Sequence, residues 1–303
     1  MSNVIVTTTI NPPTKAVRIF DSLPGWHLVV VGDCKTPDDY SLDNGTYVGP
    51  SEQERIDKTL SDLIGWNSIQ RRNFGFVVAH QMDAQIVAVV DDDNVPYDGW
   101  GTDLFAGTDV EANVFTTALP AFDPVGATNH PELWHRGYPL PLLAKREYDR
   151  PSRQIVRADV QADFWDGDPD IDAICRMQFA PECKFDPGLF PIASNALSPF
   201  NSQNTFLAAD WLKDYFLFPH VGRMDDIWAG YHLQAKGVRV VYGKPSVVQE
   251  RNPHDPLVDM KREYLGYEHN LAIVEALADD PDALFKFLPE RAIAAFERYQ
   301  SHF

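Results

Sequence analysis

Residues 84–94, AQIVAVVDDDN, hold the stretch on which the fold turns. The seven residues 84–90 are mainly small or β-branched and apolar, without regular polar alternation, which reads as a strand buried on both faces. Three aspartates follow at once. The acidic run therefore stands at the carboxyl end of a buried strand, where open α/β sheets bind ligands.

Upstream, residues 67–82 (NSIQRRNFGFVVAHQM) read as a helix, with Ile69, Phe76, Val77 and Val78 supplying much of its inward face. Gly75 weakens that helix and is suited to close backbone packing. Earlier still, the β-rich run at residues 4–10 is stopped by Asn11-Pro12-Pro13, a helix is expected over 14–22, and WHLVVV at 26–31 is a second strand ended by Gly32-Asp33. Short apolar strands separated by a helix predict a parallel βαβ unit covered on both faces. Residues 7–11 and 32–35 then join the aspartates at strand carboxyl ends.

Downstream, residues 97–151 show no clean period, and short strands are expected at 114–119 and 137–143. A short helix is expected over 170–178, a strand or helix over 207–217, and a helix over 224–236 followed by Gly237 and a strand at 238–242. Residues 256–298 read as two or three helices, one beginning at Asp280-Pro281. The working division is a donor-binding region at 1–100, an acceptor-binding and catalytic region at 101–255, and a helical region at 256–303.

Composition narrows the function. The 303 residues carry 26 basic and 44 acidic side chains, a formal net charge of -18, which argues against a chain that coats nucleic acid or an anionic membrane. Cys34, Cys175 and Cys183 are too few and too irregularly spaced for a disulfide framework or zinc module, and ordinary buried thiols are expected. No charged leader precedes an apolar segment and no apolar window reaches membrane-spanning length, so a cytoplasmic setting is expected. Walker-type and glycine-rich phosphate loops, nucleophile elbows and zinc-protease helices are absent from the sequence.

The aspartate run has direct chemical content. Alternate aspartates at a strand end can point the same way and offer oxygens to Mn²⁺ or Mg²⁺ bridging a diphosphate, although a simple acidic strand cap has the same sequence. Arg71 and Arg72 diverge by about 100° on a helix, so one can face a phosphate while the other reaches solvent, or both can form surface salt bridges. Asp33 and Lys35 fit either nucleotide contacts or a turn. In GRMDDIW, residues 222–228, a carboxylate can act as a base or simply favour the helix start, with Asp225 the more obvious cap and Asp226 a first-turn charge. QADFWDGDPDI at 161–171 suits a solvated turn or an acceptor-binding loop, and NSQNT at 201–205 offers neutral hydrogen-bonding groups suited to a sugar. His254 is a late imidazole, taken alone structural or exposed.

The ordered segments VTTTINPPTKAV, VVVGDCKTPDDY, NSIQRRNFGFVVAHQMDAQIVAVVDDDN, VQADFWDGDPDIDAICRM, NALSPFNSQNTF, GRMDDIWAGYHLQ and QERNPHD together resemble nucleotide-sugar transferases. The resemblance is to the GT-A fold of the family 2 glycosyltransferases, more closely to STELLO-like proteins, and more distantly to reversibly glycosylated polypeptides and UDP-arabinopyranose mutases. It implies a GT-A-like, Rossmann-type α/β fold with a mixed central sheet. It also implies that Thr8, Asp33 and Arg72 help hold the nucleotide, with Thr9, Lys35, Asn73 and Asp92 around them. Asp91 and Asp93 would engage the metal, Mn²⁺ or Mg²⁺, with His254 completing its coordination. Asp226 is the first choice for the acceptor base and Asp225 the alternate. The implied activity is metal-dependent transfer of a sugar from a nucleoside diphosphate donor, UDP-linked, to a hydroxyl on a glycan or other acceptor, with inversion if the base acts in a direct attack. A UDP-sugar mutase and a nucleotide-sugar-binding protein without turnover are the alternatives. The Golgi setting of plant STELLO-like proteins is not carried over with the fold.

Overall fold

The computed structural model describes residues 2–148, 150–250 and 255–303. Its strands are β1 (Ser2–Thr8), β2 (Trp26–Val31), β3 (Thr46–Val48), β4 (Ala84–Val90), β5 (Asn94–Pro96), β6 (Thr108–Phe115), β7 (Ser152–Ala158), β8 (Val160–Gly167), β9 (Ile192–Ser194), β10 (Asn204–Ala208) and β11 (Val240–Gln249). The helices are α1 (Lys15–Asp21), α2 (Pro50–Ile64), α3 (Arg72–Gln81), α4 (Ala173–Phe179), α5 (Asp225–Ala235), α6 (Pro256–Leu277) and α7 (Glu290–Gln300). Among the described residues, eleven strands form one sheet in the order β3-β2-β1-β4-β10-β8-β11-β9-β6-β7, with β5 paired to β11. This is the expected mixed α/β sheet, and its first four strands are a parallel, Rossmann-type half.

Strand direction decides where chemistry collects. β10 runs antiparallel to β4, β8 antiparallel to β10, and β11 parallel to β8. It follows that β1, β2, β4, β8 and β11 all point one way and end at one edge. The segment entering β10 starts at that same edge, because an antiparallel strand begins where its neighbour finishes. Residues 201–203 are thereby laid against the end of β4, and the Asp91 N–H donates to the Gln203 carbonyl.

The core explains the apolar strand sequences. Ile5, Val6, Val29, Val30, Val87, Val89 and Val90 are wholly buried. The Thr14 side chain caps α1 by accepting from Val17 N–H, as its position before the helix favours. In α3, a Cβ on Gly75 would lie 2.3 Å from Val6 Cγ1 and 3.1 Å from Val31 Cγ2, so glycine lets this helix settle onto the sheet.

Several boundaries differ from the sequence expectation. The strand expected at 137–143 is instead a 3-10 helix at Leu140–Lys145: Gly137 has positive φ, and Pro139 and Pro141 cannot donate to a ladder. The strand expected at 114–119 is β6, which lies earlier because pairing with β7 fixes its register. The 67–82 helix opens with a 3-10 turn at Ile69–Arg71, and 207–217 contributes the end of β10 followed by a 3-10 turn at Ala209–Trp211. Met224, rather than Asp225, is the N-cap residue of α5. Cys34 is exposed, whereas Cys175 and Cys183 are buried. No described helix is long and apolar enough to cross a membrane.

Gly75→Ala should lower stability by about 1–3 kcal/mol through overpacking, despite alanine's better helix propensity. Urea unfolding of the two proteins measures this; an unchanged or raised midpoint would contradict the close approach.

Candidate functional site

Two cavities open at the shared strand edge. The smaller, of about 340 Å³, lies among Thr8, Thr9, Asp33, Lys35, Arg71 and Asp92. The larger, of about 720 Å³, is bounded by Asp91, Asp93, Arg136, Gln203, Asp225 and Asp226, among others. Both are lined by Asn67, Ser68 and Ile69, so this loop separates them and borders each.

The loop is held by Asp33. Its carboxylate accepts from the N–H groups of Asn67 (2.9 Å) and Ser68 (3.0 Å), fastening the segment before α3 to the end of β2. Thr36 completes the corner by donating to the Thr9 carbonyl at 2.7 Å. Lys35 stands exposed at the cavity.

The two adjacent arginines are both buried, contrary to the surface alternatives. Arg71 donates to Gln53 and Ser61 and lies 3.7 Å over the Trp66 ring. Burial lowers its pKa to about 10, which leaves it charged at neutral pH beneath the smaller cavity. Arg72 donates to the Ser202 carbonyl at 2.7 Å, Ser202 Oγ at 3.0 Å, Thr8 Oγ1 at 3.2 Å and Asp91 Oδ1 at 2.7 Å. Asn73 points elsewhere: its amide exchanges two hydrogen bonds with the backbone of Leu217.

The aspartate run splits between the cavities. Asp91 and Asp93 line the larger one, while Asp92 lines the smaller and accepts from Thr9 Oγ1 at 2.5 Å and Asn11 Nδ2 at 3.2 Å. The expected Mn²⁺ or Mg²⁺ site requires correction. Among the described residues, no group of three or more His, Cys, Asp or Glu side chains is arranged to hold a metal ion. The physical reason begins with Asp91: its charge is already matched by Arg72, and Asp92 is turned into the other cavity. His254, the expected third ligand, lies outside the described residues.

A second arginine organises the far wall. An isolated bridge between His135 and Ile171 brings Arg136 beside Asp170. Arg136 Nε lies 2.9 Å from Asp170 Oδ1, while Nη1 and Nη2 donate to the two oxygens of Asp226 at 3.0 and 3.1 Å. Burial alone would raise Asp170, but Arg136 overrides it and holds the carboxyl far below the usual range. Asp226 Oδ2 also accepts from Ser202 N–H and Oγ, at 3.0 and 3.1 Å. Its neighbour Asp225 takes a side-chain hydrogen bond from Gln70 at 2.7 Å. Burial, then the adjacent Asp226 charge, push Asp225 up to about 7 against the pull of Arg136.

Gln70, Arg136 and Ser202 were not singled out by sequence reading as site residues. Ser202 and Asp170 lay inside the polar stretches at 201–205 and 161–171, but Arg136 sits in an aperiodic loop with no motif to mark it.

No protein-family model matches the sequence. It is 22% identical over 253 residues to Probable glycosyltransferase STELLO2 of Arabidopsis thaliana, covering 75% of this chain and 32% of that protein. It is 25% identical over 285 residues to UDP-arabinopyranose mutase 1 of Oryza sativa subsp. japonica, covering 82% of this chain and 72% of that one. The chain thus spans about a third of the STELLO protein's length. Among solved structures, glucosyl-3-phosphoglycerate synthase from Mycobacterium tuberculosis aligns with a TM-score of 0.40 and 11% identity, covering 93% of this chain and 81% of that one. The sequence matches make the chain a distant relative of GT-A-like glycosyltransferases and mutases at superfamily level.

Two substitutions separate the neighbouring carboxylates. Arg136→Met leaves Asp226 buried without its cation and Asp170 with the more distant Arg223, 3.8 Å away, and should cost about 3–5 kcal/mol, read by urea unfolding. Asp225 titrates near 7 when folded, above an unfolded value of about 3.9. Its stabilising contribution is therefore complete below that unfolded value and lost as pH rises through about 7. The stability of Asp225→Asn relative to the parent protein should consequently rise between about pH 4 and pH 7 and level off above that; a flat difference would contradict the upward shift.

Proposed function

We propose that this protein binds a nucleoside diphosphate sugar at the carboxyl ends of β1, β2 and β4 and transfers the sugar to a hydroxyl acceptor in the larger cavity. The observation that carries this reading is the meeting of two cavities at one loop, with a carboxyl that titrates near neutrality in the larger. Kinship with the STELLO and mutase proteins supports a sugar nucleotide, and the mutase's name supports a UDP-linked one.

In this reading the nucleoside occupies the smaller cavity beside Thr8, Asp33 and Lys35, over the buried charge of Arg71. Arg72 fixes Thr8 and Asp91 at the boundary. Asp225 is the acceptor base. Asp226 accepts four hydrogen bonds, two from Arg136 and two from Ser202, so its oxygens are committed to holding the wall. Asp225 removes the acceptor proton as the hydroxyl oxygen bonds to the anomeric carbon; the bond from that carbon to the diphosphate breaks, and the nucleoside diphosphate departs with the electron pair. Direct displacement of this kind inverts the anomeric centre. Gln70 orients the base from the neighbouring turn.

A mutase reading also has specific support, since the rice mutase aligns over 82% of this chain and 72% of its own length. Incubation with a panel of UDP-sugars distinguishes the two. UDP release that requires an acceptor supports transfer, ring-form interconversion without acceptor supports the mutase, and saturable binding with no turnover removes both. Failure to bind UDP would overturn the donor site itself.

Asp225→Asn should lower the single-turnover rate by about 10²–10⁴-fold while leaving UDP affinity within about twofold. Asp226→Asn should instead lower stability. Near-parental turnover in folded Asp225→Asn would remove the base assignment.

A further inference from the structure

The larger cavity has two electrical poles. Asp93 and Asp225 stand at the negative one, beside Asp91 and Asp226, which are paired with Arg72 and Arg136. His220, Arg223, Arg262 and Arg291, contributed by the turn before α5 and by α6 and α7, line the same space. This is notable in a chain with 44 acidic and 26 basic side chains, where a free cation has many carboxylates to choose from.

The four cationic or imidazole groups are not equivalent. Arg223 is matched, lying 3.2 Å from Asp259 and 2.9 Å from Glu263. Among the described residues Arg291 is bound through carbonyls alone, those of Leu63 at 3.0 Å and Asp62. His220 contacts the same Leu63 carbonyl at 2.9 Å, which brings imidazole and guanidinium together. Arg262 makes no side-chain hydrogen bond among the described residues, and neither it nor Arg291 has a carboxylate partner there. The turn holds this group in place: His220 and Gly222 both have positive φ, and a Cβ at residue 222 would lie 2.0 Å from the Arg262 carbonyl oxygen.

We infer that the cavity takes an acceptor bearing a phosphate group, held by Arg262 and Arg291 with His220 beside them. The inference rests on the transferase reading above for the word acceptor, and on the cavity alone for the anion. Two unmatched guanidiniums complement one phosphate monoester, which carries about -1.5 to -2 charges near neutral pH. The carboxylates disfavour that group at their end, so the two poles orient the molecule with its phosphate toward α6 and α7 and its hydroxyl toward Asp225.

Inorganic phosphate is the probe. Its affinity is measured by NMR titration with and without saturating UDP, for the parent protein, Arg262→Gln and the double variant Arg262→Gln/Arg291→Gln; UDP and UMP affinities are measured beside it. Phosphate should still bind when UDP is present, and each variant should bind it less tightly, by about tenfold in the double variant. UDP and UMP affinities should stay unchanged. Arg262→Gln disturbs no side-chain hydrogen bond, so it reports on the anion even if loss of Arg291 weakens the seat of α7. Undiminished phosphate binding in the variants would overturn the inference. Loss of UDP affinity with UMP affinity kept would also overturn it, by assigning the guanidiniums to the donor's second phosphate. Phosphate binding that depends on Arg262 in a protein that never binds UDP would leave the anion site standing and remove the donor reading.

Discussion

Ser202 is where the two halves of the sheet are electrically joined. Its carbonyl and hydroxyl accept from Arg72, which also holds Thr8 and Asp91 at the ends of β1 and β4. Its N–H and hydroxyl donate to Asp226, whose other partner, Arg136, is shared with Asp170 beyond the end of β8. Buried charges are tolerated only when paired and hydrogen-bonded, so the positions of Arg72, Asp226, Arg136 and Asp170 constrain one another. The strand directions make this chain of contacts possible, because they bring the start of β10 and the ends of β1, β4 and β8 to one edge.

This arrangement gives adjacent carboxylates different partners. Asp226 is saturated by Arg136 and Ser202, and its charge then acts on Asp225 next to it. Burial and that neighbour keep Asp225 titrating near neutrality. The two are almost equally buried, so what distinguishes them is their partners, Gln70 for Asp225 and Arg136 with Ser202 for Asp226. The same cavity is lined by Arg262 and Arg291, on α6 and α7, which have no carboxylate partner among the described residues.

The parallel strands and the acidic strand end were legible because burial on both faces leaves a continuous apolar run in the sequence. Gly75 was legible as a packing glycine for a similar local reason. The partners of the acidic residues were not. Arg72 reaches Asp91 because α3 lies against β1 and β4, and Arg136 reaches Asp226 across an aperiodic loop, separations that carry no sequence period. Counting aspartates therefore suggested a metal site, whereas Asp91 already has a guanidinium for its counterion and Asp92 faces the other cavity. GRMDDIW offered two adjacent carboxylates, and which of them Arg136 pairs with depends on tertiary contacts that the motif does not contain.

The most direct measurement is a crystal structure with UDP bound. The account predicts uridine in the smaller cavity, beside Thr8, Asp33 and Arg71, with the diphosphate directed past the loop formed by Asn67, Ser68 and Ile69 toward the larger one. UDP seated away from the carboxyl ends of β1, β2 and β4, such as in the 430 Å³ cavity beside Leu119 and Gln234, would contradict it.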